Sequence, residues 1–366
     1  MNRRHILIGG GSLVVVTGAA AAVGVRQTGS TSHYDEAESA LRAPLAAQPS
    51  GRDLIRFATL APNSHNTQAW RFQVAPKRIT ILPDFTRRTP VVDPDDHHLF
   101  VSLGCAVENL ALAAAARGMP GDMSFDNQGL GSIAFTYREA APRPSPLFAA
   151  IPHRQSTRAQ FDGRAVMPDD LKTLLAAAAI PGVDTIMITN RPQMNRIRDL
   201  VMAGNSAQLA DPAFMAELKS WLRFSPRYAL ETGDGLYSAA SGNPKLPQWL
   251  GQRAFDLFFT AKAENEKYAL HMDSSAGIVI FSGQRDDREH WVQAGRACQR
   301  FALQATALGL KHAFINQPVE VASLRPELAS LVGLSGRRPD IVMRFGYGPL
   351  LPYSPRRPVA AVITAG

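Results

Sequence analysis

Apolar and polar positions follow two periods along this chain, one typical of helices and one typical of strands. Apolar residues recur at helical spacing from Leu99 to Arg117, whereas Ile133 to Tyr137 alternate with the period of two that marks a half-buried strand. Ser50 is a typical N-cap for a helix over Asp53 to Leu60. Short strands mixed with helices predict the α+β fold class. The same patterns predict strands at Trp70–Val74, Ile79–Leu82, Thr185–Thr189, Ala276–Ser282 and Asp340–Gly346, and helices at Asp169–Ala179 and His290–Leu308.

A proline-rich segment, Ala141 to Pro146, divides the chain into two halves, residues 40–146 and 147–366. The stretch Gly104–Gly118 of the first half can be laid without gaps on Gly295–Gly309 of the second, and both end glycines coincide. Two alanine-rich helices also match by chance, but each copy is followed by a helix stop, a short linker and a strand. The repeat therefore predicts two tandem halves, each with an antiparallel or mixed sheet flanked by helices.

The N-terminus has the layout of an export signal. Arg3 and Arg4 precede an apolar run, rich in glycine and alanine, that extends to Val25. The paired arginines resemble a twin-arginine signal, although the run is also about long enough to be a membrane anchor. We expect residues 1–30 to direct export by the twin-arginine machinery to the periplasm or cell envelope. Both cleavage of the signal and its retention as a membrane anchor are compatible with this sequence. Residues 26–50 then form a linker or an exposed first helix.

Composition excludes several other classes of function. The net charge of +8 is spread over short arginine pairs without a basic stripe, so we expect no nucleic-acid partner. Cys105 and Cys298 have neither a disulfide nor a zinc spacing. The four consecutive residues Asp95 to His98 cannot converge on one ion as a helical His-x-x-x-His can, so we predict a surface loop there and no metal.

Candidate chemistry begins in the segment Pro62–Phe72, which is dense in turn-forming and hydrogen-bonding side chains. It resembles the Pro-Ser-Ser-x-Asn-x-Gln-Pro-Trp-x-Phe loop of FMN-dependent nitroreductases, with departures at Asn63 and Ala69. In that family the loop lies against the flavin ring and comes from the subunit opposite the one that holds the phosphate. A polar turn ahead of a strand would explain the same pattern without a ligand. The resemblance implies that Asn63, Ser64, Asn66 and Gln68 bind the cofactor.

Three further segments resemble parts of the same family. Arg154 to Arg158 is similar to its Arg-x-Ser-x-Arg/Lys segment, which implies phosphate contacts from Arg154 and Ser156, a cofactor contact from Gln155, and a cation, Arg158, at the N1/O2 edge of the flavin. Arg356 and Arg357 fall where the family has a basic phosphate clamp, although a solvated basic tail is the alternative. The segment around Asn316 and Gln317 resembles the one that faces flavin N5, which makes these two residues candidates for N5 contacts.

The order of these segments distinguishes the chain from an ordinary nitroreductase subunit. That subunit carries the arginine segment first and the Ser/Asn loop about thirty residues later, and two subunits then form two identical sites. Here the first half has only the loop and the second half has only the arginine segment. The resemblance implies an intramolecular pseudo-dimer with the nitroreductase-like fold, monomeric, with one FMN per chain. Glu231 to Trp249 has little periodicity and is expected to be a lid inserted in the second half.

The resemblance implies a flavin oxidoreductase. FMN would take electrons from a small-molecule reductant and pass them to a nitroaromatic or quinone-like acceptor in ping-pong fashion, and no catalytic acid or base is required of the protein. Export would place the protein in a compartment poor in NAD(P)H. The alternative is therefore a protein that binds or sequesters FMN with little turnover.

Overall fold

The computed structural model describes residues 28–364. The signal is predicted at residues 1–30, so its first 27 residues lie outside the described part of the chain. The helices are α1 Thr31–Leu41, α2 Gly51–Ala58, α3 His97–Ala116, α4 Pro146–Ala150, α5 Pro168–Ala178, α6 Arg191–Ala210, α7 Pro212–Ser220, α8 Pro226–Thr232, α9 Gln248–Phe258, α10 Ala261–Asp273, α11 Arg288–Ala307, α12 Gln317–Glu320 and α13 Arg325–Leu331. The strands are β1 Trp70–Ala75, β2 Arg78–Pro83, β3 Gly121–Asp126, β4 Ser132–Tyr137, β5 Val183–Ile188, β6 Leu222–Arg223, β7 Leu236–Tyr237, β8 Gly277–Gly283, β9 Lys311–Phe314 and β10 Ile341–Gly346. Short 3-10 turns lie at Ser64–Asn66, Phe85–Arg87, Ile151–His153, Ser238–Ser241, Ala322–Leu324 and Val359–Ala361.

Two four-stranded sheets form the frame of the molecule, in the orders β1-β2-β4-β3 and β5-β8-β10-β9. Every neighbouring pair in both sheets is antiparallel. In each sheet a long helix joins the second strand of the chain to the third, α3 in one and α11 in the other. The two sheets therefore share one topology, and the predicted α+β class is confirmed.

The helices α3 and α11 pack with their backbones in direct contact. A Cβ added to Gly104 would lie 2.1 Å from the carbonyl oxygen of Val292, and one added to Gly295 would lie 2.0 Å from that of Val101. Gly104 and Gly295 are the aligned glycines of the internal repeat, so the contact is reciprocal. Helix α3 is long and apolar enough to cross a membrane, but most of it is buried inside the protein, as expected of a core helix.

One hydrophobic core joins the two sheets. Trp70 and Phe135 come from the first sheet and Phe281 and Phe345 from the second, and all four belong to the same cluster of buried side chains. Burial of a large aromatic side chain stabilises the fold by roughly 1.5–3 kcal/mol. The two halves therefore depend on each other for much of their stability.

The predicted helices and strands occur with small shifts at their ends. Ser50 caps α2, and its side chain and that of Asp53 form a complete capping box. The edge strand β3 was not predicted, because its residues alternate between half-buried and exposed and include few apolar side chains. Residues 231–249, predicted to be an inserted lid, lie within the long connection between β5 and β8 that contains α6 to α10. Their role as a lid stays a prediction.

The prediction of a surface loop at Asp95–His98 is wrong for its histidines. His97 and His98 begin α3 and are buried. The carboxylate of Asp93 accepts hydrogen bonds from the backbone N–H of His98 and of Leu99, each at 3.0 Å, and so fixes this helix start inside the protein. The Nε2 of His97 lies 2.7 Å from Oδ1 of Asp340, which gives the buried ring a polar partner.

Candidate active site

Two adjoining cavities lie between the halves. The larger has a volume of about 280 Å³ and the smaller about 50 Å³. The larger one is near the lower end of the roughly 300–1,000 Å³ typical of small-molecule sites. Because Pro62, Asn63, Arg158, Leu236 and Phe314 line both cavities, the two form one continuous site.

The smaller cavity is strongly basic. Arg42, Arg154, Arg158 and Arg356 line it, and none of its lining residues, all within residues 28–364, is acidic. Arg42 is already paired with Glu38 and lies over the ring of Tyr353. The charge of the remaining arginines is suited to an anionic group of a ligand.

Arg154 shows which charge in this cavity lacks a partner. It is only 5% exposed, and its Nη2 donates a hydrogen bond to the carbonyl oxygen of Leu60 at 3.0 Å. Its Nε and Nη1 have no hydrogen-bond partner within the described part of the chain. Burial lowers the pKa of Arg154 to about 10, which still leaves it charged at neutral pH. Buried guanidinium donors are almost always satisfied, so these two nitrogens are available to donate hydrogen bonds to a group that enters the cavity.

Arg158 stands where the two cavities meet. It makes no hydrogen bond or ion pair with any residue that the structure describes, and burial lowers its pKa. Ser156, on the wall of the smaller cavity, pairs its backbone with that of His312 at the edge of the second sheet. That pairing fixes the strand-like segment from which Arg154 and Arg158 project.

The predicted Ser/Asn loop borders the same site in a strained conformation. His65, Asn66 and Gln68 have positive φ values of 45°, 53° and 55°, which non-glycine residues rarely adopt. The Oδ1 of Asn63 accepts a hydrogen bond from the backbone N–H of Gln68 at 2.7 Å and so closes the loop. Strain of this kind is retained where a site requires a fixed geometry. The loop thereby presents Asn63, Ser64 and His65 to the larger cavity.

The site therefore combines a loop from the first half with an arginine segment from the second. The family model described as Nitroreductase family matches residues 151–348, more than half of the chain. This chain belongs to the nitroreductase family. As a nitroreductase it has the α+β fold of that family, with antiparallel sheets and flanking helices.

Related proteins cover nearly the whole of this nitroreductase. A Mycobacterium tuberculosis protein named "Putative NAD(P)H nitroreductase Rv3131" is 28% identical over 323 residues, which cover 85% of this chain and 90% of the relative. A second, named "Putative NAD(P)H nitroreductase acg", is 24% identical over 332 residues and covers 85% of this chain and 94% of the relative.

Solved nitroreductase structures align with part of the chain. A nitroreductase with bound FMN from Bacteroides fragilis aligns at a TM-score of 0.37 with 16% identity, covering 58% of this chain and 95% of that one. The FMN-dependent nitroreductase NfnB from Mycobacterium smegmatis, solved in complex with NADPH, aligns at a TM-score of 0.37 with 12% identity. The alignment covers 56% of this chain and 87% of that one.

Asn316 and Gln317 lie on the far wall of the larger cavity of this nitroreductase. The Oδ1 of Asn316 accepts a hydrogen bond from the backbone N–H of Val342 at 2.9 Å, which orients its side chain. The Nε2 of Gln317 donates to the hydroxyl of Tyr268 at 2.6 Å, and its buried Oε1 has no partner among the described residues. These two predicted residues therefore lie at the cavity, and one of them carries an unused acceptor.

Three predicted residues have mainly structural contacts. Arg356 lines the smaller cavity, but its N–H groups donate to the carbonyl oxygens of Thr59, Leu60 and Ala61 and to Oδ1 of Asn66. Gln68 and Arg357 line neither cavity. The Nε2 of Gln68 donates to the carbonyl oxygen of Gly233 at 2.8 Å, and its Oε1 accepts from the backbone N–H of Arg357 at 2.9 Å. Gln68 and Arg357 therefore lie behind the walls of the two cavities, and their contact with a cofactor stays a prediction.

Asn66 and Gln155 are at the smaller cavity, but most of their polar atoms bind the protein. The Nδ2 of Asn66 donates to the carbonyl oxygens of Gly235 and Pro355 at 3.0 and 2.9 Å. The amide of Gln155 exchanges two hydrogen bonds with the backbone of Leu351, at 2.7 and 3.0 Å. Both residues therefore hold the walls of the cavity in place.

Sequence reasoning missed the residues that the insertion and α3 bring to the larger cavity. Tyr268 and Lys267 come from α10, and His98 comes from the start of α3. Glu320 lies beside His98, and its Oε2 accepts a hydrogen bond from Nε2 of Gln208 at 2.6 Å, while burial raises its pKa. The charged composition of α10 is typical of a solvated helix and gave no signal of a cavity wall.

Proposed function

We propose that this chain is an FMN-dependent oxidoreductase that takes electrons from NAD(P)H and passes them to a nitroaromatic or quinone-like acceptor. Family membership and the NAD(P)H named in its relatives support this. The observation that carries the proposal is that two nitrogens of buried Arg154, Nε and Nη1, have no partner among the described residues and lie in a small cavity that opens into a larger one.

The residues fit the two ends of FMN. The smaller cavity offers the free donors of Arg154 and the side chain of Ser156 to a phosphate, and guanidinium groups bind phosphate oxygens strongly. The larger cavity offers the Ser/Asn loop, Arg158 and the unused acceptor of Gln317 to the polar edge of the ring. At both ends, therefore, some donors or acceptors have no partner among residues 28–364.

Bound FMN supplies two-electron chemistry by exchanging a hydride equivalent at N5. The residues of this chain bind and orient it. Arg158, which lines both cavities, would place a cation near the ring of bound FMN, where it would stabilise the negatively charged reduced form more than the oxidised one. Phe214, Phe224, Phe255 and Phe259 give the larger cavity an apolar wall suited to an aromatic acceptor. Because one cavity must serve donor and acceptor in turn, we infer ping-pong kinetics.

We also propose that the two halves are a fused pair that keeps one composite site. The shared sheet topology and the reciprocal contact of Gly104 and Gly295 support this. So does the joining of a first-half loop and a second-half arginine segment at one cavity. We expect a monomer with one FMN per chain, exported through its twin-arginine-type N-terminus. Bound flavin per chain, sedimentation, and cell fractionation test these three expectations. The NAD(P)H proposed above is the reductant of the purified protein, and an exported chain would need a reductant that is present outside the cytoplasm.

Anaerobic reduction tests the central proposal. NADH or NADPH added to the purified holoprotein without oxygen should bleach the flavin absorbance near about 450 nm. A nitroaromatic or soluble quinone should then restore it. A flavin that is bleached by dithionite but not by either nicotinamide would contradict the proposed reductant and favour the alternative, a protein that sequesters FMN. A chain that takes up no flavin at all would overturn both.

A further inference from the structure

Helix α9 carries large apolar side chains on its outer surface. Trp249 is 60% exposed, and Leu257 and Phe258 are each 71% exposed. At 100° per residue, Trp249, Leu250, Leu257 and Phe258 fall on one half of the helix, together with exposed Arg253. Single exposed apolar residues are ordinary, but a contiguous set on one helix marks an interaction surface.

The opposite side of the same helix is a wall of the larger cavity. Phe255 is buried, and its ring stacks on that of Phe259 with centroids 4.5 Å apart. Both residues line the cavity. A molecule that reaches the outer surface of α9 is therefore one helix thickness away from the site.

The N-terminal end of the described chain lies on the same side. The Nζ of Lys245, three residues before α9, donates a hydrogen bond to Oγ1 of Thr31 at 3.0 Å. The apolar run from Ile6 to Val25 precedes this point in the sequence by only a few residues. Thr31, at the start of α1, therefore lies beside the segment that leads into α9.

The charges around α9 favour an anionic surface. Lys245, Arg253 and Lys262 are exposed there, and exposed Glu266 lies one helical turn after Lys262. Asp256, the acidic residue within α9, is paired with Lys219 at 2.5 Å. An amphipathic helix with aromatic and aliphatic residues on one side and cations at its edge is typical of binding to a lipid interface.

We propose that the outer face of α9, defined by Trp249, Leu250, Leu257 and Phe258, docks on an anionic lipid bilayer, and that the acceptor is a lipid-soluble quinone that enters past Phe255 and Phe259. This inference rests on the proposed function. In the net reaction, NAD(P)H loses a hydride and becomes NAD(P)⁺. The quinone gains those two electrons with one proton, takes a second proton from water, and becomes the quinol.

Rates measured with two electron acceptors, one in a membrane and one in solution, test this inference separately from the proposed function. The full-length holoprotein is mixed with vesicles of phosphatidylcholine and phosphatidylglycerol that contain a long-tailed quinone, and separately with a short-tailed quinone in solution. Leu257→Ser/Phe258→Ser should lower the rate with the embedded quinone by about tenfold, the equivalent of about 1.4 kcal/mol of lost docking. It should leave the rate with the soluble quinone unchanged. Leu130→Ser, at a 64% exposed residue of the β3–β4 turn, is the matched control and should change neither rate.

The site of contact is tested with bromolipids. Bromine on the acyl chains should quench the fluorescence of Trp249, the most exposed tryptophan among the described residues, and Trp249→Phe should abolish that part of the quenching. Equal embedded-quinone rates in the double variant and the parent would overturn the inference. So would a concentration-dependent dimer that the double variant abolishes, or apolar burial of Trp249 without vesicles. Failure to reduce either the soluble quinone or a nitroaromatic would instead overturn the proposed function.

Discussion

The Oδ1 of Asn66 accepts a hydrogen bond from Nη1 of Arg356 at 2.9 Å, although 290 positions separate the two residues. The same guanidinium group binds the carbonyl oxygen of Thr59 at 2.6 Å, and burial lowers its pKa to about 9. One side chain from the C-terminal segment therefore holds the end of α2 and the start of the Ser/Asn loop together. Its role is to position the loop.

Arg356→Met should destabilise the protein strongly. The substitution leaves several buried carbonyl oxygens without donors, so we expect the free energy of unfolding to fall by about 2–4 kcal/mol. Urea denaturation of the apoprotein measures this. Arg285→Met, at an exposed arginine paired with Asp287, should change it by no more than about 0.5 kcal/mol. Equal stability of the two variants would show that Arg356 is not a structural residue.

Arg154→Met should have the opposite effect to Arg356→Met: it should weaken FMN binding and leave the stability of the apoprotein nearly unchanged. Arg154 makes one hydrogen bond to the protein and keeps two donors unused, so the apoprotein should lose at most about 1 kcal/mol. The dissociation constant for FMN should rise by about 100-fold, because two charge-assisted hydrogen bonds of about 1.4 kcal/mol each are lost. Fluorescence titration with FMN and with riboflavin, which lacks the phosphate, checks this. Riboflavin affinity should hardly change, and an equal loss for both flavins would place the phosphate elsewhere.

Gly295→Ala should disrupt the packing of the two long helices. The added Cβ would lie 2.0 Å from the carbonyl oxygen of Val101, so α3 and α11 must move apart. Overpacking of this kind costs about 1–3 kcal/mol or more, and the thermal midpoint should fall. Gly51→Ala is the control, since its Cβ would meet only a movable methyl group of Val74 at 3.0 Å. An unchanged midpoint for Gly295→Ala would mean that the helices are not in backbone contact.

Stability should fall as the pH is lowered from neutral. Burial is the main cause that lowers the pKa of His271 to about 3 and that of His65 to about 4. In the unfolded chain these rings bind protons near pH 6.5, so protonation favours unfolding over the window from about 6.5 down to about 4. These two rings should therefore make urea midpoints rise with pH across this window, against the smaller opposite contribution of Asp340, whose pKa burial raises to about 6. His271→Gln should flatten the slope, and an unaltered slope would contradict the assignment.

The sequence predicted most of what depends on local pattern. Ser50 was identified as a cap from its own neighbours, and the Ser/Asn loop and Arg154 were found as short motifs. Sequence patterns could not predict the roles of Gln68, Arg356 and Arg357, because their hydrogen-bond partners come from distant segments of the chain. His97 and His98 were misplaced because their burial depends on Asp93 and Asp340, one ahead of the helix and one near the other end of the chain.

The helix α10 shows a second reason for a missed assignment. Its Tyr268 reaches the larger cavity and accepts a hydrogen bond from Gln317. Since five of the other twelve residues of α10 are charged, its composition is similar to that of a helix that faces only water. Tertiary placement, and not propensity, decides which residue of such a helix contacts a ligand.

The walls of both cavities come from one continuous polypeptide. In a site shared by separate subunits, dilution shifts the equilibrium towards incomplete pockets, and mixing with a variant subunit produces hybrids. Here neither can happen, because the loop with Asn63 and the segment with Arg154 are covalently joined. Assembly of the pocket is thus a first-order process whose outcome is independent of protein concentration, and each half is free to accumulate changes that its counterpart does not share.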